Sequence, residues 1–247
     1  MQALRLPARQ GVQWLVSGIY LFRSNPLLLT SLTVLYLLAV LLMASVPYLG
    51  MALASLARPV LTLVVANGCR AIDHRRSRPL AKGALLNGVE ANQTQLIRLG
   101  GLYLLGSLLV LILNALLAGG DVDMRRMSQQ EMTLALMKMM ALAMIVELPF
   151  WFTPLLVGWG GVSAGKSLFF SLIAVQRNWR PFAAYGLTLG AGVALLASLV
   201  LGISELFGSN ILAGILFLLL GLFMSFVLTP VLMASVYLGY RDVFAVE

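Results

Sequence analysis

The chain has few of the side chains on which enzyme and metal chemistry depend. Its 247 residues include one cysteine, one histidine and nine acidic residues, and charged residues make up only 11%. A single cysteine, Cys69, excludes an intramolecular disulfide. With one histidine, His74, the chain has no Ser/His/Asp set, and it has neither paired carboxylates nor a zinc-ligand spacing. The sequence therefore predicts a protein that is not an enzyme and that carries no cofactor or bound metal.

Long apolar runs take the place of the missing charge. Hydrophobic residues make up 60% of the chain and the mean hydropathy is +0.95, whereas about 25% of residues in soluble domains are charged. Six runs are long enough to cross a hydrocarbon core about 30 Å thick: approximately 27–47, 49–69, 99–118, 134–157, 182–203 and 211–237. Because the runs do not alternate with polar residues, a barrel is excluded. The sequence predicts an all-α, polytopic membrane helical bundle, with residues 1–247 as a single integral membrane domain.

The basic residues collect on one side of the predicted spans. Thirteen of the seventeen cations lie near the N-terminus, in residues 70–98, in residues 166–180 or at Arg241, whereas Arg125, Arg126 and Lys138 fall on the other side. The positive-inside rule then places both termini in the cytoplasm. The formal net charge of +8 is interpreted as a topology signal with attraction to anionic lipid. The predicted partners are membrane lipids or a membrane protein, and nucleic acid is not among them.

Three copies of one pattern run through the chain, at approximately residues 10–70, 80–166 and 167–241. Each copy has an asparagine where an amphipathic stretch meets an apolar run, and a proline inside a later apolar run. The asparagines are Asn25, Asn92 and Asn178, and the prolines are Pro59, Pro154 and Pro230. We call the amphipathic stretch before each asparagine an elbow. Apolar residues at helical spacing predict that each elbow is a short helix in the cytoplasmic interface, anchored at its asparagine. The six transmembrane helices thus form three pseudo-repeats, each with an interfacial amphipathic elbow helix.

The prolines are predicted to kink their spans, because a proline removes one backbone hydrogen bond from a helix. Membrane helices tolerate this loss where a neighbouring helix or a threonine hydroxyl satisfies the freed carbonyl. Pro154 and Pro230 each follow a threonine, whereas Pro59 follows Arg58. Two interpretations remain open. The kinks allow a pseudo-threefold bundle to close, or they open a cavity at the midplane, as broken helices do in transporters.

Three segments carry a resemblance to known proteins: Trp14–Gly18, Phe22–Pro26 and Ala174–Phe182. They resemble an uncharacterised family of six-span proteobacterial inner membrane proteins. That family is similar to a broader group of small bacterial membrane proteins, which includes the membrane portion of some glycerophosphodiester phosphodiesterases. The resemblance covers nearly the whole chain and implies the fold and an inner membrane location. It implies no activity, because the soluble phosphodiesterase barrel and its acidic metal ligands are absent from this sequence.

Arg58 and Glu147 are the two formal charges that fall deep within predicted spans. An unpaired charge at the bilayer centre costs about 2.5–3.5 kcal/mol on insertion scales, so each should face the bundle or a wet cavity. Aligning Pro59 with Pro154 places Glu147 about six residues, or about 9 Å of helix rise, outward of Arg58. Three interpretations remain: a structural ion pair, a glutamate that reaches to the interface, and an ion or substrate site.

Three further patterns have ordinary structural explanations. Residues Gly160–Ser167 match a phosphate-binding loop, but they follow a predicted transmembrane helix rather than a strand. Gly186 and Gly190 have the spacing of close helix packing. Methionine clusters can bind Cu(I), but methionine is also a common filler of apolar packing. Seven of the twelve methionines are Met124, Met127, Met132, Met137, Met139, Met140 and Met144.

Two classes of function fit this sequence. The first is a non-enzymatic inner membrane protein that is a structural or accessory subunit and binds a membrane partner or lipid. The second is a small transporter or lipid-handling protein with a midplane cavity near Arg58. Polar residues inside transporter spans are usually more numerous than they are here, so the sequence favours the first class.

Overall fold

The chain is helical throughout the part that the structure describes. The computed structural model describes residues 3–74, 83–118, 128–208 and 210–245, and no strand occurs among them. The α-helices are α1 (Arg9–Ser24), α2 (Pro26–Ala44), α3 (Gly50–His74), α4 (Gln93–Ala118), α5 (Gln129–Glu147), α6 (Thr153–Gly158), α7 (Ala164–Arg177), α8 (Trp179–Phe207), α9 (Asn210–Phe223) and α10 (Thr229–Phe244).

Six helical stretches are long and apolar enough to cross a membrane. They are Pro26–Ala44, Gly50–His74, Gln93–Leu117, Gln130–Gly158, Trp179–Phe207 and Ile211–Phe244. The fourth contains α5 and α6, and the sixth contains most of α9 and all of α10. The predicted all-α fold with six spans is confirmed, and each end of a span lies within seven residues of its predicted position.

The chain divides into two compact units. Unit 1 comprises Met1–Leu38, Thr62–Asn87 and Gln176–Glu247, and unit 2 comprises Ala39–Leu61 and Gly88–Val175. Each unit therefore contains parts of more than one predicted repeat. The division into three repeats, at approximately 10–70, 80–166 and 167–241, stays a prediction.

In unit 1, α1 packs against α8 and α10. The buried face of α1 consists of Gly11, Trp14, Gly18 and Leu21, which recur at intervals of three and four residues. Two of these residues are glycines because backbone lies directly against them. A side chain at Gly11 would meet the carbonyl of Pro181 in α8, and a Cβ at Gly18 would lie 2.9 Å from the Val231 carbonyl oxygen in α10. This close approach fixes α1 against both helices.

In unit 2, α4 packs against α5 and α6. Helix α5 begins with a capping box, in which the Ser128 side chain accepts a hydrogen bond from the Glu131 amide and the Glu131 carboxylate accepts one from the Ser128 amide. It ends at Glu147 and is followed by a 3-10 turn, Leu148–Phe150. All six residues of α6 are buried. The fourth span is therefore a broken helix whose second part is buried in the unit.

Two of the three predicted elbows are regular helices. Helix α1 ends at Ser24, and the next residue, Asn25, has a φ of −153° and a ψ of 77° that break the helix before α2. Helix α7 likewise ends one residue before Asn178. The second elbow differs from the prediction, since the described residues 83–92 contain only one 3-10 turn, Ala84–Leu86. Gly83 and Gly88, both at positive φ, explain the difference because they interrupt any helix across this stretch. Residues 80–82 of this repeat lie outside the described residues.

Candidate functional site

Arg58 of α3 and Glu147 of α5 form an ion pair inside unit 2. Arg58 Nη1 donates to Glu147 Oε1 at 2.7 Å, and Arg58 Nη2 donates to Glu147 Oε2 at 3.1 Å. Two parallel hydrogen bonds of this kind are the strongest arrangement of an arginine with a carboxylate. The arginine side chain is 30% exposed and the glutamate side chain 40% exposed. The pair is thus well formed, and part of it faces outward.

Tyr103 of α4 supports the pair from one side. The Arg58 guanidinium carbon lies 4.8 Å from the centre of the Tyr103 ring, a cation–π contact. The same ring packs against Phe150, with 4.4 Å between the ring centres. Space for Phe150 depends on Gly106, where a Cβ would lie 3.2 Å from the Phe150 ring. Two packed aromatic rings, Tyr103 of α4 and Phe150 of the 3-10 turn, therefore lie on one side of the site.

The fourth span is not one regular helix between Glu147 and Pro154. The expected separation of about 9 Å assumed a regular helical rise between Glu147 and Pro154. In the structure α5 ends at Glu147, and the chain passes through a 3-10 turn before α6 begins. This connection is not a regular helix, so a constant rise per residue does not give the position of Glu147 along the span relative to Pro154. Of the three interpretations of these two charges, the geometry matches the ion pair.

Pro154 and Pro230 each begin a new helical segment. Pro154 lies in the first turn of α6, and Pro230 lies in the first turn of α10, directly after a π-helical segment, Met224–Leu228. Pro59 differs because it lies inside the continuous helix α3. The three predicted kink positions thus have three different local structures.

Hydroxyl groups satisfy the carbonyls that two of these prolines free. The carbonyl four residues before Pro154 belongs to Phe150, and it accepts from Thr153 Oγ1 at 2.9 Å and from the Tyr103 hydroxyl at 3.2 Å. The carbonyl four residues before Pro230 belongs to Phe226, and it accepts from Thr30 Oγ1 of α2 at 3.0 Å. A proline therefore costs little here because a donor replaces the lost amide. Tyr103 links the broken fourth span to the ion pair. Its hydroxyl donates to the Phe150 carbonyl, and its ring contacts the Arg58 guanidinium.

The three anchor asparagines make different contacts. Asn25 is exposed, and its Oδ1 accepts from the Leu28 amide at 3.2 Å, as an N-cap of α2 does. Asn92 donates from Nδ2 to the carbonyls of Gly88 and Gly158, at 3.1 and 3.2 Å. It thereby ties the second elbow to the end of α6.

Asn178 is fully buried and holds the N-terminal segment. Its Oδ1 accepts from the Leu6 amide at 2.9 Å, and its Nδ2 donates to the Leu4 carbonyl at 2.9 Å. The Leu4 amide in turn donates to the Val243 carbonyl of α10 at 2.8 Å. We call residues 3–7 the strap, because the Asn178 side chain and the α10 backbone both form hydrogen bonds with the backbone of this segment.

A second polar network joins three elements of unit 1, and sequence reasoning missed it. Arg241 of α10 donates from Nη1 to Asp73 of α3 at 2.9 Å and from Nε and Nη2 to Asp242 at 3.1 Å. Asp242 also accepts from Gln10 and Trp14 of α1, at 2.8 and 3.1 Å. The sequence signal for this network was the position of Asp73 and Asp242, two of the nine acidic residues, at the ends of predicted spans. A carboxylate there needs a cation or another donor nearby.

The remaining sequence patterns have structural positions. Cys69 is buried, and His74 is exposed at the end of α3. In Gly160–Ser167, the Ala164 amide donates to Gln95 Oε1 at 3.1 Å and the Ser167 hydroxyl donates to the Ala164 carbonyl. Among the described residues, no group of three or more His, Cys, Asp or Glu is placed to hold a metal ion. Met124 and Met127 lie outside the described residues, and the methionines of α5 that are exposed are Met132, Met137, Met139, Met140 and Met144.

Comparison with known proteins gives one informative relative. No family model matches the chain, and no solved structure matches it. A probable inner membrane protein of Burkholderia thailandensis is 31% identical over an alignment of 267 residues, which covers 100% of this chain and 95% of the relative. Identity at this level along both full lengths indicates a common fold, and the six apolar helices agree with the membrane location that the relative's name gives. The chain belongs to the same family of inner membrane proteins as this relative.

Proposed function

We propose that this protein is a non-enzymatic structural or accessory subunit of the inner membrane, which binds a membrane partner or lipid. The observation that carries the proposal is the bidentate pairing of Arg58 with Glu147. Arg58 is the only arginine deep in a predicted span, and its charge is met by Glu147, the only acidic residue deep in one. Both charges thus hold α3 and α5 together within unit 2.

The energetics of a deep charge support this assignment. An uncompensated charge costs about 2.5–3.5 kcal/mol at the bilayer centre, whereas a bidentate pair compensates both charges locally. The stacking of Arg58 on Tyr103 adds a second contact to the same guanidinium. A cation committed in this way fixes helix positions, and a substrate would have to displace Glu147 to reach it.

A lipid-handling protein is the second candidate, and the partial exposure of the pair favours it. The two side chains remain 30% and 40% exposed, so a polar headgroup has access to both charges. A zwitterionic headgroup fits both, because its phosphate would pair with Arg58 and its ammonium with Glu147. This candidate requires the pair to open when it binds lipid, whereas the structural assignment requires it to stay closed.

Both termini are cytoplasmic in this proposal, as are residues 70–98 and 158–181. The support is the distribution of the cations, thirteen on one side against three on the other. The likeness to the membrane portion of glycerophosphodiester phosphodiesterases remains a prediction, and it assigns no activity to this chain.

A double-mutant cycle tests the structural assignment. Arg58→Thr leaves Glu147 without its partner, so we expect it to lower the free energy of unfolding by about 1–3 kcal/mol. Glu147→Gln should have an effect of similar size, and the double variant should recover at least half of the summed loss, because coupled residues are not additive. The measurement is reversible unfolding of the purified protein in detergent. Arg98→Thr, which removes an exposed cation at the start of α4, is the matched control and should change stability by less than about 0.5 kcal/mol.

Copurification then separates the two candidates. Wild-type protein and the double variant are purified in parallel from native membranes, and the proteins and lipids bound to each are quantified by mass spectrometry. We expect the same bound set for both, because the pair serves the fold alone. A double variant that is as stable as the wild type but has lost a bound lipid would assign the site to lipid handling instead.

A further inference from the structure

Helix α1 has a second apolar face, opposite the one that packs into unit 1. Val12, Val16, Ile19 and Tyr20 recur at intervals of four, three and one residues, and these residues are 37–65% exposed. At 100° per residue they lie on the side of the helix away from the buried Trp14. An apolar stripe on a helix that is already docked needs a second apolar environment, since water is a poor solvent for it.

Cations lie at both ends of this stripe. Arg9 and Arg23 are exposed, and their helical positions fall within the same face as Val12 and Val16. The two arginines are 14 residues apart, which is about 21 Å along the helix. No acidic residue occurs in α1. The face is therefore apolar along its length and positive at each end.

Helix α7 repeats this arrangement. Its exposed line is Lys166, Phe169, Ile173 and Arg177, at intervals of three, four and four residues. Its opposite face is buried and consists of small residues, and α7 also contains no acidic residue. Directly after α7, the Arg180 guanidinium lies over the ring of the exposed Trp179, with 5.5 Å between the guanidinium carbon and the ring centre.

We propose that α1 and α7 each form a binding surface for the headgroups of anionic phospholipids. The apolar stripe inserts among the upper acyl chains, as in helices that lie in a membrane interface. The end cations extend from the edge of the stripe to lipid phosphates, as long basic side chains do at interfaces. Charge complementarity selects the lipid, because each surface has only cations facing the headgroups. This inference goes beyond the proposed function, since it names a lipid class and does not depend on Arg58.

Lipid titration with native mass spectrometry tests the proposal. The delipidated full-length protein in detergent is titrated with phosphatidylglycerol and, separately, with phosphatidylcholine that carries the same acyl chains. We expect the wild type to bind phosphatidylglycerol more tightly. Arg9→Gln with Arg23→Gln should reduce that preference at least about fivefold, which is the order expected for one interfacial cation. Lys166→Gln with Arg177→Gln should act in the same way for α7.

The control removes two cations that are not on these helices. Arg98→Gln with Lys138→Gln changes the net charge equally and should leave most of the preference intact. An equal loss in the control would show that binding follows net charge rather than the two surfaces, and would overturn the proposal. Wild-type protein without a preference for phosphatidylglycerol would overturn it as well. Because this last measurement needs no variant, the proposal stays testable even if a substitution impairs folding, and its result is independent of the Arg58 cycle.

Discussion

The three asparagines at equivalent positions of the sequence pattern make different contacts. Asn25 caps α2, Asn92 joins an elbow to the end of α6, and Asn178 is buried against the strap. The pattern predicted an anchor at each asparagine but could not predict what each one holds. The partners of Asn178 are about 170 residues away in sequence, and local spacing contains no information on contacts at that distance.

Asn178→Ala should loosen the strap without unfolding the protein. The change leaves the Leu6 amide and the Leu4 carbonyl without their side-chain partners, which should cost about 1–3 kcal/mol. Hydrogen exchange at the Leu6 amide, followed by mass spectrometry, measures the effect. We expect exchange there to become at least tenfold faster, because the amide loses its acceptor.

Asn25→Ala is the comparison for this residue. It removes an exposed N-cap and should cost about 1 kcal/mol of α2 stability, with no change in exchange at Leu6. If Asn25→Ala accelerates exchange at Leu6 as strongly as Asn178→Ala does, the strap does not depend on Asn178 specifically.

At the scale of elements, composition predicted the six spans and the hydrophobic pattern predicted α1 and α7. An uninterrupted apolar run of about 20 residues has few alternatives to a spanning helix. The Arg58–Glu147 contact was harder to predict because the helix between Glu147 and Pro154 is broken. The π-helical segment before Pro230 was also unforeseen. The Thr229 hydroxyl at the start of α10 donates to the Met224 carbonyl five residues earlier, at the start of this segment.

The adjacent glycines Gly100 and Gly101 of α4 should respond oppositely to alanine. At Gly100 a Cβ would lie 2.6 Å from Leu56 Cα and 2.7 Å from its carbonyl oxygen, because the backbones of α3 and α4 touch there. Gly100→Ala should therefore lower the free energy of unfolding by about 1–3 kcal/mol. At Gly101 no atom lies within 4 Å of the added Cβ. Gly101→Ala should raise stability by about 0.5–1 kcal/mol, since alanine favours a helix over glycine.

Unfolding of both variants in one detergent measures this difference directly. Equal destabilisation would mean that the two glycines matter for helix flexibility and that the close approach of Leu56 is not the reason for Gly100. The comparison is sharp because the two substitutions are chemically identical and one residue apart.

At the scale of the whole molecule, sidedness is the property to test first. Lys166 and Ser45 are both exposed. The predicted topology places Lys166 on the cytoplasmic side and Ser45 near the opposite end of the first span. Single cysteines at these positions, in a Cys69→Ala background, should react differently with a membrane-impermeant thiol reagent added to intact cells. We expect Ser45→Cys to be labelled and Lys166→Cys to be protected until the membrane is permeabilised.

The Cys69→Ala protein, which contains no cysteine, gives the background of this assay. Labelling of Lys166→Cys from outside would reverse the orientation of the chain. In that case α1 and α7 would meet the outer leaflet, and the lipid titration would be interpreted for that leaflet.

The strap has a consequence for how the protein is made. Its backbone hydrogen bonds reach α10, and Gln10 of the neighbouring helix α1 donates to Asp242 of α10, 232 residues away. A ribosome adding roughly 5–20 residues per second would expose the strap roughly 10–50 s before α10 exists. During that interval α1 has neither its acceptor on Asp242 nor the backbone of α10 against Gly18. Unit 1 therefore closes late, and α1 lacks these two contacts until the last span has been made.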